Sequence, residues 1–270
     1  MKVSEDAEAI KMCLYPKLIH NPKYRKTKKN GGIIPPISDE RVKYVPIGCG
    51  NCIECRKQYA RSWQIRLLEE IKKPIKGYFI TLTFSNESIA ELIKNKGNKK
   101  RPELKHFEGY MLDNQLATTA VHLFLGRWRK KFKTSLRHWL ITELGHNGTE
   151  NIHLHGIVWT YEDFEEIRNL WQYGYVFPYG EHCKKNYVNE ATVNYIIKYV
   201  TKVDDKHTLY KSIILTSPGI GNNYKANEKH KYNGENTNEL YRTRTGNKIN
   251  LPIYYRNKAF TEKERDLSCI

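Results

Sequence analysis

A chain of 270 residues can bury one sizeable core with room for a small appended module. Its 46 Lys plus Arg against 29 Asp plus Glu leave a net charge of +17, which suits a polyanion, nucleic acid before a membrane surface. No apolar run could span a bilayer and MKVSEDAEAI is too polar for a signal peptide, so the chain reads as soluble, with no membrane partner, in a host cytoplasm.

Residues 1–55 are turn-rich, with NPKYRKTKKNGG and PP punctuating short hydrophobic pieces, and read as an irregular lead-in. Cys49, Cys52 and Cys55 close it. With Cys13 or His20 as a fourth ligand, they could hold a structural Zn²⁺ that pins the segment to the following helix. The competing reading is reduced thiols packed as small hydrophobes, because three cysteines so close in sequence crowd one tetrahedral ion.

Residues 56–224 carry the regular pattern. RKQYARSWQIRLLEEIKK places Tyr59, Trp63, Leu67 and Ile71 near helical spacing, and YFITLTFS then alternates as a strand. SNESIAELIKNKGNKKRPELK reads as a polar stretch with a Lys-rich turn. Asp113 to Lys133 returns to a helix with Leu116, Ala120, Leu123, Phe124 and Trp128 as its buried stripe. LRHWLITEL and NIHLHGIVWT form two strands joined by GHNGTEN. YEDFEEIRNLW is a short helix, GYVFPYG a short strand, EATVNYIIKYVTKVD a helix and SIILTS a last strand. Residues 225–270 form a polar extension with little expected order. Strands separated by helices, with a hairpin among them, predict an α+β domain whose mainly antiparallel central sheet is flanked by helices.

Residues two apart on a strand share a face, so His153 and His155 point the same way and can grip one ion. Across the hairpin, Glu143 can approach them as a third, oxygen ligand. Such a set keeps coordination positions open, as a catalytic ion requires. The plain alternative is a pair of strand histidines satisfied by hydrogen bonds.

Tyr195 and Tyr199 lie about one helical turn apart (~3.6 residues) and project from one side. An aromatic pair at that spacing usually fills a core. Core filling does not explain Lys198 and Lys202, each three residues after a Tyr. An ammonium favours a nearby phenolate and can hold the phosphate under attack. A cation on a phosphodiester oxygen, a phenol as nucleophile and a reversible aryl ester together suit the cutting and rejoining of a DNA strand.

The TLTF strand, the H-x-H strand and the paired Tyr-x-x-Lys helix resemble the motifs of HUH endonucleases, the rolling-circle replication initiators. MCLYPKLIHNPKY, PIGCGNCIECRKQYARSWQIRLLEE, ITELG, IHLHGIVW, YIIKYVTK and SPGIGNNY resemble more closely the replication initiation proteins of microviruses of the gokushovirus type. The resemblance runs from Cys13 to about Tyr224. It implies Tyr199 and Tyr195 as alternating nucleophiles, and His153, His155 and Glu143 as ligands of Mg²⁺ or Mn²⁺. The chain departs from the family's common Gly-Glu-Tyr-Gly with Thr142-Glu143-Leu144-Gly145.

The resemblance and the residue chemistry together imply a nicking and joining enzyme acting on a single-stranded DNA origin. A single-Tyr transposase or relaxase is the same-fold alternative, and a non-catalytic basic DNA-binding or packaging protein the other. Lys28, Lys29, Lys99, Lys100, Arg101 and Arg127 to Lys133 are expected phosphate contacts. Trp63, Trp128, Trp139 and Trp171 are expected in the core. No G-x-x-x-x-G-K-[ST] occurs, so unwinding and copying are expected from a host helicase and polymerase.

Overall fold

Hydrophobic alternation in four segments builds the sheet that carries the site. The computed structural model describes residues 13–94, 108–145, 150–179, 186–225, 232–233, 236–261 and 264. They fall into two units, Met1–Tyr59 and Ala60–Ile270. Lys99, Lys100 and Arg101, and most of the turn expected between Gly145 and Asn151, lie outside the described residues.

In the first unit, β1 (Lys17–His20) pairs antiparallel with β2 (Tyr44–Ile47). Between them, 3₁₀ turns at Pro22–Tyr24, Lys28–Asn30 and Glu40–Val42 are capped by the side chains of Asn21, Thr27 and Asp39. Those short polar side chains satisfy amides that so brief a turn cannot pair itself. The first helix, α1 (Ile53–Glu70), begins before Cys55 rather than after it, so that cysteine lies in its first turn.

The second unit holds a five-stranded sheet in which every pair is antiparallel. Its strands are β3 (Gly77–Leu82), β4 (Arg137–Leu144), β5 (Ile152–Trp159), β6 (Val176–Phe177) and β7 (Ile214–Thr216), in the order β6-β3-β5-β4-β7. The expected α+β architecture is what forms, with helices on both faces.

On one face, Ile80, Leu82, Leu140, Leu154 and Val158 pack with α2 (Asn86–Lys94), α3 (Gly109–Phe132) and α4 (Phe164–Trp171). On the other, Trp139, Ile141, Ile157 and Trp159 pack with Trp63, Leu67 and Leu68 of α1 and with Val193 and Ile196 of α5 (Glu190–Thr201). All four tryptophans expected inside are buried.

Residues 86–94 are helical where a polar stretch was expected. Ser85 caps the start through a 3.1 Å bond from the Ser88 amide, and Ile89 and Leu92 turn toward the core. Leu123, expected in the buried stripe of α3, is partly exposed, while its neighbours Val121 and Phe124 are buried. Tyr59 is likewise exposed.

Past Asn222, where little order was expected, there are two small strand pairs, β8 (Tyr232–Asn233) with β9 (Asn236–Thr237) and β10 (Leu240–Arg242) with β11 (Lys248–Asn250), then α6 (Ile253–Ala259). Tyr241, Leu251, Tyr255 and Phe260 join the cluster beside α1. These isolated apolar residues are too sparse in sequence to signal a core.

Candidate active site

The β4–β5 register sets Glu143 directly opposite His153 and Ile141 opposite His155, while β3 sets Thr81 on the other side of His155. Directly paired residues share a face, so Glu143, His153 and His155 converge. Glu143 Oε2 lies 3.2 Å from His153 Nε2 and 2.8 Å from His155 Nε2. Gly156, between His155 and Ile157, keeps the strands this close. A Cβ there would come within 2.3 Å of the Trp139 carbonyl oxygen.

The tyrosines approach the triad from α5. Asn189 closes a capping box with Thr192, and Val193 and Ile196 bury one stripe of the helix. Tyr199 is thereby laid on His155, with ring centroids 4.4 Å apart and planes 23° apart. Tyr195, one turn earlier, is 48% exposed, and its hydroxyl lies 3.0 Å from that of Tyr199.

Lys202 follows the end of the helix and donates from Nζ to Glu143 Oε1. Lys198 Nζ stands 5.7 Å from the Tyr195 ring centroid. All of the residues expected to act together are thus within one neighbourhood.

Partial burial favours the neutral acid at Glu143, but hydrogen bonds from His153, His155 and Lys202 hold its carboxyl well below the usual carboxylate range. Burial, the Tyr195 hydroxyl and the Glu143 charge push the Tyr199 phenol up instead. The Tyr-x-x-Lys spacing alone suggests that each lysine favours the phenolate of its tyrosine. In the structure Lys202 neutralises Glu143, and no lysine effect outweighs the desolvation of Tyr199.

The donor set suits a cation. His153 Nδ1 faces only the Asn151 carbonyl, at 3.4 Å, so in its neutral form that nitrogen carries the proton. Its Nε2 lone pair then points at a carboxylate oxygen, an arrangement that is repulsive unless a proton or a metal ion lies between. The ligand atoms of Glu143, His153 and His155 all lie within 4.8 Å of one another.

Residues 77–204 match the family of replication-associated proteins of the ORF2 type. The match spans the strands of the triad and the whole of α5, and it supports a role in DNA replication. No curated protein and no solved structure matches the chain. No helix among the described residues is long and apolar enough to cross a membrane.

Beyond the expected set, Thr81 Oγ1 lies 2.9 Å from His155 Nδ1 and orients that ring. Its position on the polar side of YFITLTFS was the signal. Asp204, Tyr210 and Ser212 line a small pocket with Glu143, Tyr199 and Lys202. Nothing in their local sequence marks them, since the chain must fold for them to meet the triad.

The basic end of α3 does not serve as expected. Arg127 donates to the Leu170 and Trp171 carbonyls at 2.8 and 3.0 Å, and Lys131 pairs with Glu166. Both are occupied in fastening α4, on the sheet face away from the triad. In the first unit, Cys13 rather than His20 completes the cysteine group, and the four Sγ atoms lie within 4.8 Å of one another. The crowding anticipated for Cys49, Cys52 and Cys55 is relieved by the helical turn that lifts Cys55. His20 instead packs its ring edge-on to Tyr44.

Proposed function

We propose that this chain is an HUH-type rolling-circle replication initiator, of the kind found in microviruses, that nicks a single-stranded origin and later rejoins the displaced strand. The observation that carries the reading is the stacking of Tyr199 on His155, whose Nε2 converges with His153 and Glu143. A phenol and a metal-capable triad in contact have no common purpose in a core, whereas phosphoryl transfer requires both.

Glu143, His153 and His155 would hold Mg²⁺ or Mn²⁺, which supplies charge neutralisation at a non-bridging phosphate oxygen. The Tyr199 hydroxyl attacks phosphorus and loses its proton. The bond from phosphorus to the 3′ oxygen breaks, and that oxygen takes up a proton to leave a 3′-OH primer. The strand end remains as a 5′-phosphotyrosine ester. Tyr195, 3.0 Å away, makes the same attack on the regenerated junction. The freed 3′-OH then displaces the Tyr199 phenol and closes a circle. Lys202 beside Glu143 and Lys198 beside Tyr195 hold positive charge where the phosphate would sit. Copying and unwinding would fall to a host polymerase and helicase.

Exposed rings support a single-stranded substrate. Phe177 of β6 is paired with Thr81 and so continues the row that holds His155, and Tyr175 accepts from the Thr83 amide at 2.9 Å one step along the same edge. Tyr179 packs edge-on to both. Unpaired bases could stack there while their backbone enters the triad.

The test is incubation with end-labelled single-stranded oligonucleotides of randomised sequence and Mn²⁺. A denaturation-resistant adduct on the fragment bearing the new 5′ end is expected. Its absence would favour a basic packaging protein. Adduct formation and rejoining that are both untouched by Tyr195→Phe would favour the single-Tyr reading.

A further inference from the structure

We propose that Cys13, Cys49, Cys52 and Cys55 bind one zinc ion in a closed tetrahedral site that serves as the core of the first unit. Three independent features of residues 13–59 carry this.

The first is spacing. Cys13 Sγ and Cys52 Sγ are 3.8 Å apart, and the four cysteines are free thiols. A zinc–sulfur bond of about 2.3 Å gives a tetrahedron whose edge is about 3.8 Å. A disulfide would bring a pair to about 2.05 Å. An iron–sulfur cluster spreads its thiolates over several metal atoms, further apart than ligands of one shared ion.

The second is the backbone around the sulfurs. Cys13 Sγ accepts from the amides of Tyr15 at 3.3 Å and Cys49 at 3.1 Å. Cys49 Sγ accepts from Asn51 at 3.4 Å and Cys52 at 3.3 Å. Gly50 adopts a left-handed φ of +77°, which lets the chain turn back so that its amides point at sulfur. The amides of Cys55 and Leu14 lower the Cys52 thiol to about 6. Donors directed at each sulfur are what bound thiolates need and what packed neutral thiols do not.

The third is the lack of any other core. Among the described residues of this unit, Cys55 is the only buried apolar side chain, while Leu14, Tyr15, Leu18, Ile33, Ile34 and Tyr44 are exposed. A segment this short without a hydrophobic centre does not hold a fixed fold by burial alone. One ion linking residue 13 to residues 49–55 closes a long loop and supplies the missing centre.

The site is separate from the triad, so its test does not depend on strand transfer. The full chain, purified under reducing conditions without chelator, is assayed for metal by elemental analysis. One zinc per chain is expected, kept in the His153→Ala/His155→Ala variant and lost in Cys13→Ser and Cys52→Ser. Cobalt exchanged into the wild-type chain should show tetrahedral d–d bands with intense sulfur charge transfer. That measurement stands even if the cysteine variants do not fold. Zinc-free protein, iron in place of zinc, a disulfide among the four cysteines, or cobalt spectra without sulfur charge transfer would each overturn the proposal.

Discussion

Tyr199 meets the His155 ring on one side and the Tyr195 hydroxyl at its tip, so the two phenols occupy different environments despite their matching Tyr-x-x-Lys contexts. The buried ring is held toward the triad, while the exposed one is free to receive a second strand end. Tyr199→Phe should remove the first adduct and Tyr195→Phe the rejoining step, each read on denaturing gels; adduct from the double Phe variant would refute the assignment. His155→Ala removes a ligand but leaves the basic surface, so adduct formation should fall by at least about 100-fold, the loss typical for removing a group that stabilises transition-state charge. Single-strand affinity, measured by filter binding, should change little. The H-x-H and Tyr-x-x-Lys patterns were legible because strand and helix periods alone decide which side chains share a face. Thr81 was legible only as a strand residue, since its bond to His155 depends on register.

At the scale of elements, the sheet edge and the α1–β4 contact carry separate tasks. Tyr175 and Phe177 extend the site face to the edge strand, and Tyr175→Ala/Phe177→Ala should weaken binding to unpaired DNA by about 1–3 kcal/mol per lost stack, with duplex affinity little affected. Equal losses for both DNA forms would exclude the stacking role. Behind the site, Glu70 of α1 is fully buried and accepts from Arg137 Nη2 at 2.8 Å, the Gly221 amide at 2.7 Å and Lys73 Nζ at 3.0 Å. Burial opposes its charge, but these donors hold the carboxyl below the usual range. A depressed folded-state pKa contributes stability above the unfolded value, about 4.3, and loses it as pH falls through the folded value. Glu70→Gln should therefore cost on the order of 3 kcal/mol at pH 7, and the gap to wild type should close below about pH 4 in denaturant titrations. The helix at 86–94 is hidden in the sequence because its polar composition resembles a loop and its stability comes from Ile89 and Leu92 packing on the core.

For the molecule as a whole, a charge of +17 makes DNA affinity a matter of counterion release. Raising salt from 50 to 200 mM should reduce single-strand affinity by at least about tenfold, and a flat salt response would argue against a nucleic-acid partner. Arg127 and Lys131 should contribute little to that slope, because both are engaged with α4. By itself the sequence determined the α+β class, the hairpin, the paired histidines and the paired phenols, because each arises from local periodicity and residue chemistry. Only the tertiary structure decided that Glu143 reaches both imidazoles, that Lys202 pairs with Glu143 rather than serving a phenol, and that Cys13 joins three cysteines far along the chain. Those outcomes depend on strand register, helix docking and loop closure, which are settled by packing across the whole molecule and leave no mark in a local window.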